Sequence, residues 1–92
     1  MAVLVTADVP GQTEQGYDGM LIALENALKS APGFVLHSAY PVEGGWKIVE
    51  IWESKRHADE WFAKSVAPNL PPGIRPKRTV QELHQIVAAE SQ

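Results

Sequence analysis

A chain of 92 residues with 8 basic and 11 acidic side chains carries a net charge of -3, which gives no electrostatic ground for a nucleic-acid partner. The lack of cysteine excludes disulfides, thiolate metal ligands and thiol catalysis, and no apolar run approaches the roughly 20 residues of a membrane span. The length predicts one domain over 1–92 with a core from about 2 to 88; so small a domain buries only about 60–65% of its unfolded surface, and a second copy is the expected stabiliser.

The opening residues, Met1 to Asp8, show no basic signal region and enter an alternating apolar segment directly, which predicts a cytoplasmic location. Ala2 to Asp8 reads as the first strand, with Val3 and Val5 on one face and Leu4 and Thr6 on the other. The stretch 9–16, with Pro10, Gly11 and Gly16, reads as a loop. Tyr17 to Ser30 follows as a helix whose apolar stripe is Tyr17, Met20, Leu21, Leu24, Ala27 and Leu28, stopped by Pro32-Gly33.

Gly33 to Val42 predicts the second strand, with Phe34, Leu36, Ser38 and Tyr40 on one face and Val35, His37 and Ala39 on the other. Glu43-Gly44-Gly45 is a hairpin turn, for which paired glycines supply positive φ angles. In the third strand, 45–53, Trp46, Ile48, Glu50 and Trp52 share a face. The period changes at Ser54, a good N-cap, and Ala58, Trp61, Phe62 and Val66 recur at helical spacing over 55–66. Residues 67–76 carry four prolines and a glycine and read as an irregular connection. Arg78 to Ala88 predicts a fourth strand, and the tail to Gln92 a frayed end.

The order β-α-β-β-α-β predicts an α+β, ferredoxin-like arrangement: a four-stranded antiparallel sheet with two helices on one face. Strands two and three place apolar residues on both faces, so the uncovered face is expected to bury itself against a second copy through a two-fold axis.

The polar residues that stand out are His37, Glu50 and His84. A two-residue turn places His37 beside Glu50 or Trp52, and a three-residue turn separates them; suitable pairing of strand four brings in His84. A carboxylate beside a histidine orients the imidazole and raises its basicity, the makings of a general base; the same pair serves equally as a structural hydrogen bond. No tight i, i+2 or i, i+4 ligand pair accompanies these histidines, so no metal is expected. His57 falls off the apolar stripe and is read as solvent-facing. Trp52, Trp61, Tyr40, Met20 and Phe62 are candidates to line an aromatic pocket, or else ordinary core, and Trp46 reads as a rim or dimer contact. The run Arg75, Lys77 and Arg78 reads as a solvated edge, or as a grip for an anionic group.

The segments APGFVLHSAY, EGGWKIVEIWES, ADEWFAKSVAPNL and VQELHQIV resemble the dimeric α/β-barrel superfamily, and within it the small antibiotic-biosynthesis-monooxygenase-like domains. The resemblance implies a homodimer with a cavity between helices and sheet in each subunit, and a small aromatic molecule as partner. Its members include quinol and anthrone monooxygenases that use no cofactor, haem-degrading enzymes and polyketide cyclases. Trp61 stands nine residues after Trp52, as the helical tryptophan of the haem-degrading branch does, but that branch's first-strand asparagine and later histidine have no counterpart here. The anthrone-type branch holds a polycyclic phenol with tryptophan, asparagine, tyrosine and arginine, of which the tryptophans can be matched here. The resulting expectation is a cofactor-independent monooxygenase acting on a phenolic, quinol or polyketide-type aromatic. A non-oxidative cyclase or isomerase, or a non-catalytic small-molecule-binding dimer, are the alternatives.

Overall fold

The computed structural model describes residues 1–90; the last two residues of the predicted frayed tail lie outside that range. The elements are β1 (Val3–Pro10), α1 (Glu14–Lys29), β2 (Phe34–Val42), β3 (Gly45–Trp52), α2 (Lys55–Trp61) and β4 (Lys77–Glu82). The sheet order is β2-β3-β1-β4 with every neighbouring pair antiparallel, the ferredoxin-like α+β fold that the element order predicts.

The helix-side layer starts from β1. Val3, Val5, Ala7 and Val9 are all buried, and the core cluster joins Val3 and Val5 to Trp52 of β3, Leu28 of α1, and Ala58 and Trp61 of α2. Trp52 has no exposed surface at all. It meets Phe34 edge-on at 5.4 Å and Trp61 at 6.2 Å, within the range where aromatic pairs add to simple burial.

Several boundaries differ from the sequence expectation, each for a local reason. The first helix begins at Glu14 rather than Tyr17, because Thr13 caps it: its side chain accepts from the amide of Gly16 at 3.0 Å. The second helix leaves α geometry after Trp61 and continues as a π turn over Phe62–Val66 and a single 3₁₀ turn over Ala67–Asn69. The hairpin has a two-residue turn, since Val42 pairs with Gly45. Only Gly44 has the positive φ expected of the glycine pair; Gly45 is needed because a Cβ there would lie 2.4 Å from the carbonyl oxygen of Val9.

Two register effects matter for function. A bulge at Val35 separates the pairs Phe34↔Trp52 and Leu36↔Ile51, so Phe34 turns to the helix face instead of joining Leu36, Ser38 and Tyr40. And β4 ends at Glu82 rather than Ala88. The amide of Leu83 closes the pairing on the carbonyl of Ala2 at 2.9 Å; β1 begins at Val3, opposite Glu82, and among the described residues no strand pairs with the chain beyond.

Candidate functional site

The two-residue hairpin turn sets His37 opposite Glu50, and Glu50 opposite Val5. All three point toward the helices. His37 Nδ1 and Glu50 Oε2 are 2.6 Å apart, with side chains only 16% and 14% exposed. The other carboxylate oxygen, Oε1, accepts from the indole Nε1–H of Trp52 at 2.9 Å. On the far side of the imidazole, Nε2 lies 2.6 Å from the hydroxyl of Tyr17, on the first turn of α1. The four side chains form one line: indole, carboxylate, imidazole, phenol. With a neutral imidazole every proton has a place, Nδ1–H donating to Glu50 and the Tyr17 hydroxyl donating to Nε2.

Tyr17 is held from two sides. Its ring lies nearly parallel to His37 at 6.0 Å and to Trp46 at 5.8 Å. Burial, then the negative charge of Glu50 and more weakly those of Asp18 and Glu25, push its phenol above the ordinary value of 10.0, so the hydroxyl keeps its proton at neutral pH.

This line ends in the wall of a cavity of about 110 Å³ between the helices and the sheet, far above the ~10–15 Å³ that one water requires. The wall is apolar except for Gln12, Tyr17, His37, Glu50 and Arg78. Trp61, Met20 and Phe62 contribute to it. Trp52 does not: it sits behind the wall, fully buried, and reaches the site only through its bond to Glu50.

Three further expectations are corrected. His84 lies past the end of β4, exposed, and joins neither His37 nor Glu50. Tyr40 pairs with Lys47 on the opposite face of the sheet and is 50% exposed; its aromatic character suggests a pocket, but its register excludes one on the helix side. His57 is half-buried rather than solvent-facing. Its Nδ1 bonds the Ser54 hydroxyl at 2.8 Å, and its ring covers Gly33, where a Cβ would come within 2.4 Å.

Tyr17 and Gln12 are absent from the sequence-derived candidates, and Arg78 appears there only as the second reading of a basic run. Tyr17 follows the helical apolar period and reads as core. Arg78 sits in a basic run that reads as edge, yet pairing with Ala7 turns it to the helix face. There its guanidinium lies 4.5 Å from the centre of the Phe62 ring and donates two long bonds, both 3.4 Å, to Asp59. Trp46 stacks on Tyr17, and its indole nitrogen is buried without a hydrogen-bond partner. Among the described residues no group of three or more His, Asp or Glu side chains could hold a metal ion, and no helix is long and apolar enough to cross a membrane.

No protein-family model matches the chain, and no curated protein sequence matches it. Solved structures do. Rv0793 from Mycobacterium tuberculosis aligns over 96% of this chain and 100% of its own, at 16% identity and a TM-score of 0.67. The heme-degrader MhuD from Mycobacterium tuberculosis, solved with two hemes bound in its active site, aligns over 96% and 100% at 20% identity and 0.61. SnoaB, a cofactor-independent oxygenase from Streptomyces nogalater, aligns over 96% and 97% at 12% identity and 0.58. At these identities the likeness is one of fold. That likeness of fold extends over nearly the whole chain. Heme does not suit the residues of this wall: its histidine is His37, and both ring nitrogens are taken up by Tyr17 and Glu50.

Proposed function

We propose that this chain acts in the cytoplasm, as a homodimer, as a cofactor-independent oxygenase of a small phenolic or quinol-type aromatic, with His37 and Glu50 as its base. The observation that carries the reading is the line of four hydrogen-bonded side chains ending in a largely apolar cavity. A low-polarity wall takes up an aromatic ring, and a carboxylate-oriented imidazole takes its proton. The carbanion so formed is the reductant. Its electron pair passes to dioxygen, a carbon-bound hydroperoxide forms, and loss of water leaves a carbonyl: CH₂ plus O₂ gives C=O plus H₂O. Trp61 and Phe62 would flank the ring, and Arg78 would face the developing negative charge. A fold shared with SnoaB and MhuD supports oxygen chemistry without specifying the substrate.

The homodimer is supported by the uncovered sheet face, where Leu36, Tyr40 and Val42 are 45%, 50% and 42% exposed, a contiguous apolar area of the kind copies bury against each other. The test of the oxygenase is oxygen uptake with an electron-rich anthrone or hydroquinone. Uptake above the spontaneous rate that falls at least ~100-fold in His37→Ala is expected; no uptake with any such compound removes the oxygenase.

A second reading is favoured by one feature, the Tyr17 hydroxyl on the imidazole. An acid and a base side by side suit a non-oxidative isomerase or cyclase, which moves protons and needs no oxygen. It requires a product of unchanged oxidation level, formed equally well under nitrogen.

A further inference from the structure

We propose that Tyr17 is the residue that takes the ligand's proton, passing its own to His37 at the same time. This rests on the base assigned above and deepens it: the imidazole acts through the phenol rather than on the ligand directly.

The geometry of His37 requires an intermediary. Nδ1 is directed at Glu50 and Nε2 at the Tyr17 hydroxyl, each at 2.6 Å. The lone pair on Nε2 is single and lies in the ring plane, so one partner occupies it. His37 borders the cavity, but its basic electron pair is turned into the phenol. Tyr17 has capacity to spare. Its oxygen carries two lone pairs besides its proton, its recorded hydrogen bond goes to His37, and it too borders the cavity.

The remaining parts hold the transfer line steady. Trp46 and His37 keep the phenol ring in nearly one plane. At the other end Glu50 has both oxygens engaged, one by His37 and one by the buried indole of Trp52, so the carboxylate stays in place to balance an imidazolium. The phenol's raised pKa means it works by exchange and not as a standing phenolate. The balance is simple. The ligand's C–H or O–H bond breaks and an O–H forms on Tyr17, while the original Tyr17 O–H breaks and an N–H forms on His37. The ligand leaves as carbanion or phenolate beside an imidazolium–carboxylate pair, and no electron is transferred in the step.

Removing the hydroxyl separates this from a merely structural role, because Tyr17→Phe uncovers Nε2. If Tyr17 were only a cap, the variant would expose a free base and be as fast or faster. The probe is 1,8-dihydroxyanthrone, whose CH₂ protons exchange with D₂O by proton abstraction alone, followed by proton NMR without oxygen. The wild-type chain is expected to accelerate exchange. Tyr17→Phe and His37→Gln should each lose at least ~100-fold of that acceleration, and the double variant no more than either single one, as residues acting as a unit do. Should Tyr17→Phe not fold, 3-fluorotyrosine placed at position 17 in a Tyr40→Phe background must alter the exchange rate. Undiminished exchange in Tyr17→Phe, or an unaltered rate with the fluorinated phenol, overturns the relay and leaves the His37 base standing. Oxygen uptake is scored separately under air: exchange without uptake removes the oxygenase and keeps the relay, and a wild-type chain showing neither removes both.

Discussion

The two faces of this sheet treat polar groups in opposite ways. On the helix face Glu50 has both oxygens bonded and His37 both nitrogens, at exposures of 14% and 16%. On the uncovered face Lys47 bonds Asp8 at 2.9 Å with the aspartate 57% exposed, Thr6 meets Thr79, and Leu36, Tyr40 and Val42 stand in solvent beside them. The contrast follows from desolvation. A charge removed from water is costly unless every lone pair and proton finds a partner, whereas a pair left in water gains little from its own attraction. Damage to the first network should therefore spread, and damage to the second should not.

The most severe test of that difference is Trp52→Ala. It removes the most deeply buried side chain and orphans an oxygen of Glu50, so we expect a loss of about 3–5 kcal/mol, a large share of the ~5–15 kcal/mol that holds a domain of this kind together. A thermal melt within a few degrees of wild type would show that stability is centred elsewhere. Glu50→Ala should come next, leaving the Nδ1–H of His37 and the indole N–H of Trp52 without acceptors at about 1–3 kcal/mol each. Urea titration measures this. Equal stability of Glu50→Ala and wild type would mean that water replaces the carboxylate freely, and the face would not be dry.

On the uncovered face, Leu36→Asp is expected to weaken self-association at least ~10-fold, about 1.4 kcal/mol, with the hydrogen bonds within the chain intact. Sedimentation velocity across a dilution series checks it. An unchanged sedimentation coefficient at every concentration would place the second copy on another surface.

pH divides the molecule more gently. Tyr17 has a raised pKa through burial and the neighbouring Glu50, so the folded state favours the protonated phenol. Its contribution is fully present below pH ~10 and is lost as pH rises through the higher folded value; Tyr17→Phe should flatten that alkaline limb. Asp59 has the opposite sign. Lys55 first, and Arg78 after it, hold its carboxyl below the ordinary value, so its contribution is present above the usual carboxylate range and fades as pH falls through the lowered value. With that side chain 39% exposed, Asp59→Asn should flatten the acid limb only slightly. Smallest of all is Lys47→Ala, which removes a pair exposed in the single chain and should leave the melting midpoint of the dissociated chain unmoved. A clear drop at dilutions where the copies are apart would show that the pair is not screened by water.

Much of this is legible in one stretch. From Gly45 to Trp52 the alternation assigns Trp46, Ile48, Glu50 and Trp52 to a common face, and Ser54 marks the helix start that the structure has. The meeting of His37 and Glu50 is legible as one of two alternatives, and the length of a two-residue turn decides between them. Tyr17 is not legible as a site residue, because the spacing that puts it inside is the spacing of every core residue on α1. His84 misleads for the converse reason: its alternating pattern continues where β1, the strand that would pair with it, has already ended.

Periodicity and turn chemistry alone therefore determined the order of elements and, apart from Phe34 before the bulge, which residues of a strand share a face, since both depend on neighbours along the chain. What stands opposite what across the helix–sheet gap was decided only by the tertiary structure: the phenol on the imidazole and the guanidinium over Phe62. The first contact joins residues 20 positions apart, and both depend on the helical segments and the strands settling at one distance. No local preference encodes that distance; it is set when the apolar faces of α1, α2 and the sheet pack together and leave the polar line no solvent to turn to.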